Sequence, residues 1–364
     1  MKEITLLLTF LLLFVGCSKE PHVKFSDMPN TEFKKSTFND LPQWSDEDYS
    51  SALSSFIGNC KSKKTLELYK ELCIKAEDSS DAKQFFLDQF TPYEIIKPNQ
   101  NYGLLTGYYE PRIRGSHVKK EPYLYPVYRV PKDLVSVELG SLYGELKKYR
   151  LRGRVQGSKL LPYYSREEID KNGVDADVIC YTDSIVDLFF LEVQGSGVVE
   201  FDSGEKIYIG YANQNGYKYK SIGKYLVDKG EIELKDISLQ SIKEWLIANP
   251  NRVDEVLHYN KSKVFFEQRE VGATGSLGIT LTPKRSIAID TEYVPLGSVL
   301  YLNAHNGSIS INKVVMAQDT GGAIKGALRA DIFLGHGDEA AEIAGKLKAP
   351  LKLWILLPNS KESL

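Results

Sequence analysis

The chain has 364 residues, and at roughly 100–200 residues per domain two domains are expected. Apolar residues make up 42% and charged residues 26%, the balance of a well-packed folded body. A formal net charge of −2, with no long Lys/Arg block, excludes nucleic acid as an expected partner.

At the N-terminus Lys2 precedes an apolar run from Ile4 to Val15. About a dozen residues fall short of the about 20 that cross a bilayer as a helix, and this length suits the hydrophobic region of an export signal. The run ends in Phe14-Val15-Gly16-Cys17, which resembles a bacterial lipobox whose cysteine becomes the lipidated first residue. Residues 1–17 are therefore read as a lipoprotein signal and Cys17 as the acyl site. Ser18, in place of Asp, favours the outer membrane by analogy with enteric bacteria. Residues 18–44, rich in Ser, Lys, Pro and Asn, read as a tether.

Residues 45–95 read as helical. Ser45-x-x-Asp48 has the spacing of a capping box, and Leu53, Phe56 and Ile57 follow it at helical intervals. Leu66, Leu68, Tyr69, Leu72 and Cys73 form a second stripe, and Asp81 to Phe90 a third helix. Cys60 and Cys73 bracket a Lys-rich turn and are either a disulfide of an exported protein or two buried thiols; Cys180 reads as a core thiol. No C-x-x-C occurs and the five histidines are scattered, so neither a metal site nor a cofactor is expected.

From Gly103 the texture becomes β-rich, with Leu104–Tyr109, Tyr123–Val130, Val178–Tyr181, Leu188–Val193 and Lys206–Tyr211 as strands. Ser221–Asp228, Ser238–Ala248 and Val253–His258 read as helical. Strands return over Gly272–Asn303 and Ser308–Ala317, followed by a helix at Asp338–Leu347 and a last strand, Leu351–Leu357.

The densest chemical signal is Gln318-Asp319-Thr320-Gly321-Gly322-Ala323-Ile324-Lys325-Gly326, continuing through Arg329-Ala330-Asp331-Ile332-Phe333-Leu334-Gly335-His336-Gly337. It sets carboxylates beside glycines that let a ligand approach the backbone closely. Three other segments accompany it: Thr106-Gly107-Tyr108-Tyr109-Glu110-Pro111, Glu192-Val193-Gln194-Gly195-Ser196-Gly197, and Tyr211-Ala212-x-x-Asn215-Gly216 with Ser221-Ile222-Gly223-Lys224. In this order, over roughly residues 95–355, they resemble the membrane-bound lytic murein transglycosylase A (MltA) family, and Arg285–Gly297 resembles the start of its "3D" module.

The resemblance implies a mainly β fold: a double-psi β-barrel formed by residues 45–110 and 270–364, with the N-terminal helices beside it and the 3D module at about 280–357. A second β-barrel domain, residues 111–269, is inserted. It implies a monomer that binds peptidoglycan strands, is held to outer-membrane lipid by its acyl anchor, faces the periplasm, and needs no cofactor. Asp331 fits the family's acid in its x-D-x-F-x-G-x-G segment. Asp319 and Asp290 fit the two other aspartates of the module, in supporting roles. Thr106, Tyr108, Tyr109, Gln194, Ser196, Asn215 and Lys325 are the expected sugar-binding residues, with Phe189, Phe190, Tyr211 and Tyr217 as further stacking faces. A groove is expected with Thr106 and Gln194 on one wall and Asp331 on the other.

One acid suffices for such a reaction. Most glycosidases need two carboxylates because water or a second carboxylate attacks the anomeric carbon. A lytic transglycosylase uses the C6 hydroxyl of the same muramyl residue, a tethered nucleophile that is worth roughly 7–11 kcal/mol when well oriented. Two alternatives stay open. Asp319-Thr320-Gly321 is the triplet of an aspartic protease, although only one copy is present. A non-catalytic peptidoglycan-binding lipoprotein would share the fold.

Overall fold

The computed structural model describes residues 31–359 other than Arg150 and Ser308. The lipobox region and residues 18–30 of the expected tether lie outside the described residues. The chain opens with β1 (Glu32–Lys35), then α1 (Tyr49–Asn59), α2 (Lys63–Glu77), α3 (Ala82–Gln89), β2 (Phe90–Ile96) and β3 (Gly103–Glu110). Its middle holds β4 (Arg112–Ser116), β5 (Tyr125–Tyr128), β6 (Val135–Val137), β7 (Leu151–Gln156), β8 (Lys159–Pro162), α4 (Arg166–Asn172) and β9 (Val178–Thr182). These are followed by α5 (Ile185–Gln194), β10 (Ser196–Phe201), β11 (Lys206–Gln214), α6 (Ile222–Asp228), α7 (Leu239–Ala248), α8 (Val253–Tyr259) and β12 (Val264–Arg269). The last part is β13 (Ser286–Ala288), β14 (Val299–Asn306), β15 (Ile309–Asp319), β16 (Arg329–His336), α9 (Asp338–Lys346) and β17 (Lys348–Pro358).

The largest sheet runs β1-β2-β17-β14-β15-β13-β16-β3, and β17 also pairs with β3. Residues 348–351 of β17 bond β3, while residues 354–358 bond β2. That double use closes β3, β16, β13, β15, β14 and β17 into a six-stranded barrel without a free edge. The apolar run of β14 has a simple cause: both of its faces are covered. On β14, Leu300, Leu302 and Ala304 enter the barrel interior, while Val299 and Tyr301 meet Trp44, Phe56, Tyr69 and Phe86 of the helical layer. The Cys60–Cys73 disulfide is formed, at 2.08 Å, and ties the C-terminal end of α1 to α2. Cys180 is a buried thiol.

A second sheet, β12-β11-β10-β4-β9-β5, curls until its edge strands β5 and β12 pack beside each other. All its strands lie between β3 and β13 in sequence, so it is an insertion into the barrel. Strands β6, β7 and β8 form a small third sheet.

Four expectations are corrected. Leu188–Val193 is not a strand but the body of α5. Ser184 caps it by accepting from the Asp187 N–H, and Gly195 ends it at φ 81°. Its apolar residues show no stripe because Leu188 and Leu191 fill the second sheet's core while Phe189 and Phe190 pack against α6, α7 and α8. The cap of α1 is Asp48, not Ser45, which lies one turn earlier and donates to Asp46. Residues 31–44 are not a loose tether: β1 pairs with β2, and Trp44 is buried. The end of the expected helical stretch, residues 90–95, lies in strand β2.

Candidate active site

The site lies on the outer face of the barrel, where β3 and β16 run parallel with Thr106 opposite Asp331 and Tyr108 opposite Phe333. Side chains alternate along a strand. Leu105, Ala330 and Ile332 therefore fill the barrel, and Thr106, Tyr108, Arg329, Asp331 and Phe333 share the opposite face. Ala288 of β13 is in register with Asp331 on one side and Asp319 on the other. The two aspartates are thus roughly 9–10 Å apart at the backbone, two strand spacings. A register shift between Ile287 and Ala288 sets the position of Asp319, the kind of irregularity that re-aims a side chain beside a site.

The two carboxyls have different surroundings. Asp319 Oδ1 accepts from Ser276 N–H (2.9 Å), Ser276 Oγ (2.9 Å) and Thr320 N–H (2.8 Å), and Oδ2 accepts from the Tyr108 hydroxyl (3.0 Å). Those donors suit an ionised acceptor. Asp331 Oδ1 accepts from Thr106 Oγ1 at 2.6 Å, and no donor among the described residues reaches Oδ2. Burial raises the pKa of Asp331; the Thr106 hydrogen bond and the Arg329 cation pull it down, and the Asp319 charge adds to the rise. Burial raises Asp319 too, against the pull of its donors. Asp331 therefore combines a free oxygen with a strengthened hold on its proton, as an acid requires.

Asp290 is buried and clamps the glycine-rich loop. It accepts from Gly326 N–H at 2.9 Å, which fixes the turn, and faces the exposed Lys325 ammonium at 3.6 Å. Gly326, at φ 108°, supplies a backbone conformation that a side chain would resist.

The expected sugar-binding residues divide. Thr106 stands beside Asp331 on the same wall, not across a groove from it. Tyr108 is committed to Asp319 and its ring rests on Phe333 at 5.3 Å, which leaves it a poor stacking platform. Tyr109 is a buried barrel-core residue, and Phe189 and Phe190 are buried core as well. Asn215 is buried, with its amide donating to Tyr164 and Lys261 carbonyls and accepting from Lys263 N–H; no group is left for a sugar. Gln194, at the end of α5, accepts from the Tyr109 N–H at 3.2 Å and so ties the insertion to β3. Ser196 starts β10, half-buried, and Tyr211 and Tyr217 keep half-exposed rings.

Arg329, two residues before Asp331 on the same strand, is the cation that lowers the acid's pKa, and it donates to Thr106 Oγ1 at 2.8 Å. One residue of the site escaped the sequence reading. Ser276 lies 43 residues from Asp319, in a loop without a motif, and nothing in the sequence marks it.

Residues 104–267 match the MltA specific insert domain and residues 285–357 the 3D domain. The chain is 32% identical over 293 residues to the membrane-bound lytic murein transglycosylase A of Escherichia coli, covering 77% of this chain and 72% of that one. It is 34% identical over 271 residues to the protein of that name from Vibrio cholerae, covering 71% and 66%. Among solved structures, MltA from Neisseria gonorrhoeae superposes with a TM-score of 0.80 at 35% identity, over 92% of this chain and 94% of that one. E. coli MltA with bound chitohexaose gives a TM-score of 0.70 at 25% identity, over 90% and 95%. By relatedness along most of its length, and by the barrel and insertion it shares with them, the chain belongs to the membrane-bound lytic murein transglycosylase A family.

Proposed function

We propose that this protein is a lytic transglycosylase that cleaves the β-1,4 bond between N-acetylmuramyl and N-acetylglucosaminyl residues of peptidoglycan. The observation that carries the assignment of roles is the contrast between the two carboxyls: Asp319 is saturated by donors, and Asp331 keeps one oxygen free. Asp331 gives its proton to the glycosidic oxygen. As carboxylate it then takes the proton of the muramyl C6 hydroxyl, which closes on C1 to form a 1,6-anhydro ring. Asp319, held in place by its donors, stands near the acid, and Asp290 holds the loop between them. Residues 111–269 act as the second wall, joined to the acid's wall through Gln194. The chitohexaose bound by the E. coli relative fits a glycan-binding surface of this kind.

Digestion of peptidoglycan in ¹⁸O-labelled water is expected to give 1,6-anhydromuramyl ends without label. Labelled reducing ends in most of the product would make the enzyme a hydrolase, and absence of any release would make it a binding protein.

The relatives are named membrane-bound. The finer reading is an outer-membrane lipoprotein facing the periplasm and anchored through Cys17. Because a single acyl chain anchors only marginally, stable attachment takes several. Cys17→Ala is expected to leave the outer-membrane fraction; unchanged fractionation, with a processed and lipid-free N-terminus, would count against the anchor.

A further inference from the structure

We propose that Arg329 is a positioning residue of the reaction: acting through Thr106, it dictates which oxygen of Asp331 carries the catalytic proton. The inference rests on the reading of Asp331 as the acid.

A threonine hydroxyl has one proton to give and lone pairs to accept with, whereas a guanidinium can only donate. Arg329 Nη2 donates to Thr106 Oγ1 at 2.8 Å, so the hydroxyl proton is turned to Asp331 Oδ1, 2.6 Å away. With Oδ1 receiving that proton, the acid's own proton belongs on Oδ2, the oxygen without a partner among the described residues. Without Arg329 the hydroxyl can rotate and accept from a protonated Oδ1. The catalytic proton is then held against β3 instead of facing the glycan. The guanidinium is itself fixed, because Nη1 donates to the carbonyls of Leu104 and Ala330.

The groups around Asp331 are Thr106 and Tyr108 of β3, Arg329 of its own strand and Asp319 of β15. Lys348 of β17 is in register with Thr106. Asp338 and Glu339 begin α9, which covers the inner face of β3, where a Cβ on Gly107 would meet Ala344.

A pure charge effect and a positioning effect have opposite signs. Removing the cation favours neutral Asp331, so charge alone predicts activity held or raised at neutral pH, with the alkaline limb moved to higher pH. Positioning predicts that the limb moves up and kcat nevertheless falls. Arg329→Met is expected to lower kcat about tenfold, the effect of one directed hydrogen bond, with KM unchanged. Arg329→Lys should restore most of it. In a Thr106→Val background, Arg329→Met should cost less than about twofold more, because coupled residues are not additive. Thr106→Val leaves the carbonyl contacts of Arg329 in place and should by itself show the fall, even if Arg329→Met does not fold. Additive losses, or full activity in Thr106→Val, would overturn the positioning role. An active Asp331→Asn would instead overturn the acid assignment beneath it, so the two failures are distinguishable.

Discussion

Asp331→Asn is expected to abolish glycan cleavage, by about 10⁴-fold or more, while the protein stays folded and still binds a chito-oligosaccharide. The amide keeps the shape of the carboxyl. Its oxygen can still accept from Thr106, so the packing of β3 on β16 is undisturbed. What is lost is a transferable proton. General acid–base catalysis is usually worth about 10²–10⁴-fold, and in the proposed mechanism one group performs both halves, so the loss belongs at or beyond the upper end. Asp319→Asn should be milder. Its Oδ1 now holds the Ser276 and Thr320 N–H groups, and an amide oxygen can keep those contacts. It also removes the like charge that helps to raise Asp331. The acid then loses its proton at lower pH, and the alkaline limb of the activity profile should move down. Product release from Asp331→Asn at near-normal rates, with Asp319→Asn dead, would transfer the acid role to Asp319.

The legible part of this protein was its local chemistry. The density of Asp and Gly between Gln318 and Gly337, and the segments around Thr106 and Gln194, pointed to the face that carries Asp331. Partners were not legible. Tyr108 and Thr106 look alike as sugar ligands in sequence, yet one holds Asp319 and the other Asp331. Asn215 sits in a family motif because the backbone needs an amide clamp there, a demand visible only once Tyr164, Lys261 and Lys263 are brought round it. The single Asp319-Thr320-Gly321 triplet suggested a protease half-site; here its carboxylate is tied down by its own loop and by β3. Periodicity failed where an element is covered on more than one side. Helix α5 has apolar residues facing two cores and so lost its stripe.

Glu192→Ala is expected to destabilise the protein by about 3–5 kcal/mol, the usual cost of stranding a buried charge. Glu192 is buried two residues before Gln194 and is one of four charged groups packed together in the insertion. Its Oε2 accepts from Arg166 at 2.6 Å, and its Oε1 faces Lys263 at 2.9 Å without the alignment of a hydrogen bond. Lys263 also donates to Asp170 at 2.9 Å, and Arg166 donates to the carbonyls of Asn260 and Ser262 while lying over the Phe189 ring. Removing Glu192 leaves two buried cations with Asp170 as their one nearby anion among the described residues. Glu192→Gln, which keeps an acceptor for Arg166, should cost less. Glu192→Ala combined with Lys263→Met should recover part of the loss, since one stranded charge goes with it. The exposed i,i+4 pair of Lys171 with Glu167 is the control, worth about 0–1 kcal/mol. Urea midpoints of the four variants measure the differences. If Glu192→Ala costs no more than breaking the exposed pair, water reaches the cluster and the charges are not buried together as described. If the cost is large, α5 should loosen first at its C-terminal end. Gln194 would then lose its grip on the Tyr109 N–H. With the insertion as the proposed second wall and Asp331 as the proposed acid, KM should rise before kcat falls.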